Sequence, residues 1–395
     1  MSEAPQNRPR LIVPIVIALI LVVILLFVLK FFLPGDPRET LIERYGAEIE
    51  QFDGILEVSL ASDEIQDLSK VTPLLSKLGT VASLDVSLCP SLENFKGLEQ
   101  LPRLETFSAA ACTNLTSIEG IGFLKEIKTL ALSDCQQLSG KLSIPALPSL
   151  ENLYIENCPR ISTLSLNDTP SLKQLFLGGD ISLTVIDGLG NLKELTDLDI
   201  STCHQLKNLN GIESSGKLLM FDLRNCVALK SLNFLKSLAS IEILRLGGLE
   251  NFHDLSALSS LENLRELHID ACADLASLTG LPSSNKLSYA GFSHCMGLKS
   301  LNGISSATDL EQVTLTACEN LTDISDLAKL NQLQNVDFAH CKALKNISVL
   351  STLKQLQLIQ VAGTAVSPED IKKLQKALPK TIIVQVTDEA LPASY

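Results

Sequence analysis

Ten cysteines carry the most chemistry in this chain, since a thiolate can serve as nucleophile, metal ligand or disulfide partner. Cys89, Cys112, Cys135 and Cys158 stand 23 residues apart; so do Cys203 and Cys226, and then Cys272, Cys295, Cys318 and Cys341. The gaps between these groups are 45 and 46 residues, so each conceals one more position of the series, filled by Asp180 and Leu249. An even count can form a disulfide framework, and groups of four, two and four permit neighbour pairing. In a parallel stack, however, equivalent Cα atoms lie roughly 4.8 Å apart with side chains pointing the same way. A disulfide needs Cβ atoms about 3.5–4.5 Å apart and turned toward each other. The spacing therefore predicts ten free, buried thiols.

The five histidines, His204, His253, His268, His294 and His340, form no H-E-x-x-H, H-x-x-E-H or Cys/His zinc spacing. Gly-x-Ser-x-Gly and phosphate-loop patterns are missing, and Gly247-Gly248 has no helix signal after it. No catalytic residue, metal site, cofactor or small-molecule substrate is assigned, and the chain does not read as an enzyme. Four Asn-x-Ser/Thr sequons, at Asn114, Asn167, Asn320 and Asn346, are read as chance matches in turns rich in these residues. The formal net charge is -13, and residues 1–38 hold four cations against two anions, which leaves -15 on the rest. So acidic a body argues against nucleic acid and against lying flat on anionic lipid.

The cysteines are positioned by a repeat. Counting each cysteine as zero, apolar residues recur at +3, +6, +9, +12, +15, +18 and +20. From Cys112 these are Leu115, Ile118, Ile121, Leu124, Ile127, Leu130 and Leu132; from Cys318 they are Leu321, Ile324, Leu327, Leu330, Leu333, Val336 and Phe338. Gly97, Gly120, Gly188, Gly211, Gly280 and Gly303 hold +8, where a tight turn favours glycine. The unit after Cys158 is one residue short and Lys141-Leu142 shifts the pattern, so irregular curvature is expected there. One such unit cannot bury its apolar face alone; stacking must complete the core.

The spacing L-x-x-L-x-L-x-x-C resembles the leucine-rich repeat, unit by unit from about Leu56 to Val361. The form extended by x-x-L is similar to repeats of plant resistance proteins, and the Gly-Leu half to those of bacterial internalin-type proteins. The resemblance implies an α/β fold: a right-handed leucine-rich repeat solenoid with a concave parallel β-sheet, here with one N-terminal transmembrane helix. It also implies that Cys89, Cys112, Cys135, Cys158, Asp180, Cys203, Cys226, Cys272, Cys295, Cys318, Cys341 and Thr364 form a structural ladder satisfying backbone groups in the turns. Leu249 cannot join it, so its neighbouring backbone needs other partners.

Six segments follow along the chain. Residues 1–10 are a short polar tail. Residues 11–33 open with 19 uncharged residues, Leu11 to Leu29, and would span about 34 Å as a helix, enough to cross a bilayer. Residues 34–54 are expected to form an N-terminal capping helix, started by Asp36-Pro37, with Leu41, Ile42, Tyr45, Ile49 and Phe52 on one face and Gly54 closing it. The solenoid fills 55–364, a helix and strand cap it over 365–386, and 387–395 is a tail. Counting Arg8 and Arg10 against Lys30, Arg38 and Arg44 does not decide the orientation, but a short basic tail before an uncleaved apolar segment resembles a signal anchor, which implies an N-terminus in the cytoplasm and the repeats outside it.

If the leucines at +18 and +20 point inward, the residues between and beside them point out from the sheet. There Tyr154 and Phe176 are expected as an exposed aromatic pair, followed by the polar run Asp199, Asp222, Arg245 and His268, with Met220, Ile243 and Tyr289 alongside. Aromatic residues beside charges on a rigid sheet suit a binding surface. The expected function is a membrane-anchored module that binds a protein or other macromolecular partner on its concave face and meets the lipid bilayer through its N-terminal helix. The alternative is a scaffold that organises envelope or membrane proteins without a single ligand.

Overall fold

A computed structural model of the chain describes residues 36–250, 252–283 and 286–385. The expected membrane helix, the tail before it and the tail after residue 386 lie outside these residues. Among the described residues no helix is long and apolar enough to cross a membrane.

The 23-residue period folds as predicted from its apolar positions. Each unit contributes one short strand, and sixteen strands form a single sheet in which all neighbours after the first hairpin run parallel. Equivalent residues of successive units pair directly, as in Phe107 with Leu130 and Leu198 with Phe221. The leucine positions interleave into one continuous core; Leu321, Leu327, Leu330, Leu333 and Phe338 are fully buried. The chain returns through short 3-10 turns, such as Leu98–Gln100, Ile212–Ser214 and Ser348–Thr352.

All ten cysteines are free and buried. Each of eight thiols donates to a carbonyl 26 residues upstream, at the strand end of the preceding rung. Cys112 bonds Val86 at 3.3 Å, Cys226 bonds Ile200 at 3.0 Å and Cys341 bonds Leu315 at 2.8 Å. A weak donor small enough to be buried thus ties each rung to the last. The residue just before the ladder is left-handed in every such turn, from Leu88 (φ 60°) to His340 (φ 63°). Where the ladder residue is Asp180, Leu249 or Thr364, the residue before it is Gly179, Gly248 or Gly363, again at positive φ. Asp180 joins the ladder in a different way: its Oδ1 accepts the Cys158 N–H at 2.7 Å. Thr364 donates to Val361 within its own turn, at 2.7 Å. Beside Leu249, the Gly248 N–H is taken by the Asp270 carbonyl at 2.9 Å.

The glycines at +8 have a steric cause. At Gly303 (φ 102°) an added Cβ would lie 2.5 Å from the Leu278 carbonyl carbon, so the preceding rung leaves no room for a side chain. Units without this glycine start their 3-10 turn two residues earlier, after a residue of negative φ, as at Leu232 and Ile324. A side chain two residues before accepts the first N–H: Asp323 from Ser325 at 2.9 Å, Asn346 from Ser348 at 3.0 Å.

Two expectations are corrected at the N-terminal end. The helix covers Pro37–Tyr45 instead of 34–54, because Gly46 turns left-handed (φ 63°) and stops it. Glu48–Phe52 is instead a strand antiparallel to Ile55–Ser59, with Asp53-Gly54 as the two-residue turn between them. The open edge of a parallel sheet demands backbone partners that a helix face cannot give. Leu41 and Tyr45 are buried as expected, while Ile42 and Phe52 are exposed. A short helix, Thr72–Leu78, also precedes the third strand. At the other end Ser367 accepts the Asp370 N–H at 3.1 Å and caps helix Pro368–Ala377, and Ile382–Val384 pairs with Leu358–Gln360.

Candidate functional site

Strand alternation puts the residue between two inward leucines on the outer face of the sheet, and the parallel register aligns these residues rung by rung. Tyr154, Phe176, Asp199, Asp222, Arg245 and His268 are direct neighbours in that order. Met220 and Ile243 pair in the adjacent column, which continues through Glu266 to Tyr289.

Tyr154 and Phe176 stack with ring centroids 5.2 Å apart and planes 11° from parallel. The Tyr154 hydroxyl donates to Gln174 Oε1 at 3.2 Å, and Gln174 in turn donates to Asp197 at 3.4 Å. The pair is therefore half-buried by its own stacking and not the fully exposed pair that alternation suggests.

The polar run also changes character. Asp222 is only 1% exposed. Arg224 lies over it, with Nε 3.0 Å from both carboxylate oxygens and Nη2 2.7 Å from one. Its Oδ1 also accepts the Arg224 N–H at 3.1 Å. Asp199 does the same for Ser201 at 2.7 Å, Asp85 for Ser87 at 2.8 Å and Asp337 for Ala339 at 2.7 Å. These carboxylates satisfy an N–H at the end of the strand, which makes them part of the fold as well as of the surface. Arg224 and Glu156, two residues beyond this column, were missed by attending only to its immediate flanks. Extending the two-residue alternation by one step finds both. Burial raises the Glu156 carboxyl above its ordinary range, and Asp199 adds to this.

Arg245 makes no ion pair among the described residues. Beside it, the His268 ring packs on Tyr289 at 4.7 Å between centroids and reaches Glu266 at 3.4 Å. Burial lowers the His268 pKa against the opposing pull of Glu266, and Arg245 lowers it further, so the imidazole is neutral at neutral pH. Gly291 makes room for Tyr289: a Cβ there would sit 2.7 Å from the tyrosine hydroxyl. The structure thus forms two clusters from the predicted residues. One is the Tyr154–Phe176 stack; the other gathers Met220, Ile243, Arg245, His268 and Tyr289. Asp199 and the covered Asp222 lie between them.

Nine of the ten ladder thiols are held above the ordinary thiol value, whereas hydrogen bonds from Cys295 and Cys341 hold Cys318 below it. Burial pushes the Cys112 and Cys226 thiols up to about 12 and those of Cys135 and Cys272 to about 11. No group of three or more potential metal ligands occurs among the described residues.

None of the curated proteins compared with it matches this sequence. The chain is similar in structure to an internalin (inlF) from Listeria monocytogenes, with 17% identity over 75% of this chain and 85% of that one, at a TM-score of 0.56. It is also similar to the protein of a TLR13–ssRNA13 complex, with 17% identity over 81% of this chain and a TM-score of 0.53; there it spans 56% of the other chain. At these identities the likeness shows the fold alone. The BspA type leucine rich repeat region matches residues 84–207 and 246–360 in six copies, and the chain belongs to that leucine-rich repeat family.

Proposed function

We propose that the protein is a membrane-anchored recognition module that holds a protein partner on the sheet face, the concave side of the solenoid. The observation that carries this reading is the alignment of two half-exposed clusters on one rigid face, six rungs apart at most. Leucine-rich repeat proteins generally mediate protein–protein interaction, and this surface offers aromatic and aliphatic anchors beside the unpaired Arg245. The relative solved with ssRNA13 is no guide to the ligand, because a body of charge -15 would repel a phosphate backbone. Residues 11–33 supply the anchor, with the N-terminus in the cytoplasm and the repeats outside, on the strength of their uncharged run and the arginines before it.

Replacing Tyr154 and Phe176 together by serine should leave the circular dichroism spectrum unchanged and abolish recovery of the crosslinked partner. Recovery equal to wild type would remove these rings from the site. A broad, stoichiometric set of envelope proteins in place of a narrow partner list would favour the scaffold. Protease digestion of intact cells tests the topology: repeats that resist digestion until the membrane is opened would overturn the outward placement.

A further inference from the structure

The N-terminal hairpin exposes apolar side chains where the fold has no use for them. Phe52 is 65% exposed and Ile55 is 46% exposed. They are cross-strand partners, so both side chains lie on one face of the ribbon, beside the tight turn at Asp53 (φ 49°) and Gly54 (φ 82°). Ile55 pairs with Thr80, the first residue of the neighbouring strand, whereas the strand after that begins level with Ser83, so the tip and its neighbour start about 10 Å before the later strands.

The path of the chain fixes which way this spur lies. Helix Pro37–Tyr45 is about 12 Å long, and strand Glu48–Phe52 about 13 Å. Only Gly46-Ala47 separates them, and the Arg38 guanidinium reaches the Ile49 carbonyl at 3.2 Å. The strand therefore runs back beside the helix and returns its tip to the level of Pro37. Only residues 34–36 lie between Pro37 and the apolar run 11–33. The spur and the start of helix Pro37–Tyr45, which the apolar run precedes in the chain, are thus at the same end of the first rung.

We infer that the hairpin tip, Phe52 to Ile55, beds into the headgroup–acyl boundary of the bilayer that carries the anchor, and so holds the first rung at a fixed angle to the membrane. This rests on the anchor proposed above. An aromatic ring beside an aliphatic side chain suits that boundary. Asp53 and Glu50 beside them favour a zwitterionic surface over an anionic one.

The chain has no tryptophan, so a single one reports cleanly on its surroundings. Phe52→Trp and, as a distant control, Phe123→Trp at a 60% exposed site would be placed in the full chain. Each would be reconstituted in phosphatidylcholine vesicles containing lipid brominated at the upper acyl carbons. The Phe52→Trp emission should shift to the blue and lose intensity relative to unbrominated vesicles, while the control stays solvent-like and unquenched. Equal, unquenched emission from both variants in protein that floats with the vesicles overturns the inference and leaves the anchor standing. Failure to float overturns both.

Discussion

The rungs that follow Cys135, Cys158 and Asp180 carry the same strand in the large sheet as those from Cys203 onward, yet their return differs. In the regular rungs the chain comes back through 3-10 turns, opened by glycine or by an Asp, Asn or Ser bond. In the irregular ones Ser139–Ser143, Arg160–Ser165 and Val185–Asp187 build a separate three-stranded parallel sheet. This is where the sequence is one residue short and the Lys141-Leu142 shift occurs. The difference shows that the ladder and strand set the period, while the return side takes whatever structure closes its own backbone bonds. It also shows where each region is vulnerable.

The largest effect should come from the regular return. Gly303→Ala puts a Cβ into the backbone of the preceding rung and should cost about 3 kcal/mol or more in urea unfolding. Gly140→Ala in the extra sheet meets no atom within 4 Å and should cost only about 1 kcal/mol, from its φ of 68°. Equal costs would break the distinction between the two returns.

The next effect belongs to the irregular region's ladder. Asp180 is buried, and its pKa is raised to about 8, chiefly by burial, against the bond from the Cys158 N–H. Its folded value lies above the unfolded value of about 3.9, so the folded state holds the proton more tightly. Wild type should then lose stability as pH rises from about 4 through about 8. Asp180→Asn keeps an acceptor for Cys158 without the charge, should flatten this profile, and should be on the order of 2–3 kcal/mol more stable at pH 9. Parallel profiles for the two proteins would mean that water reaches the carboxylate.

Smaller effects sharpen the comparison within the regular rungs. Cys226→Ala removes one inter-rung bond and should cost about 1–2 kcal/mol, while the Ile200 carbonyl keeps the bond it accepts from the Cys203 N–H at 3.2 Å. The surface pair Lys128–Glu105, although only 2.6 Å apart, is half exposed, and Lys128→Ala should change stability by less than about 0.5 kcal/mol.

Much of this was legible before any coordinates. The inward leucines, the buried thiols and the strand register each follow from a local rule repeated at a fixed interval, and a repeated rule reinforces its own signal. Asp222 shows where that reading fails. Its position in the column points outward, but Arg224 from the next alternation covers it, and only the packed sheet reveals that bond. The capping helix fails for the same kind of reason. Tyr45, Ile49 and Phe52 share a helical face, yet the unpaired edge of Ile55–Ser59 recruits Glu48–Phe52 as a strand.

The sequence by itself determined the period, the set of residues that turn inward and the identity of the ladder, because side-chain polarity and spacing alone decide what can stack without water. Only the tertiary structure decided how Tyr154 lies on Phe176, which carboxylates serve the backbone and how the Cys158 rung closes. Those outcomes depend on side chains from neighbouring rungs meeting at 3–5 Å, a contact that no single repeat encodes.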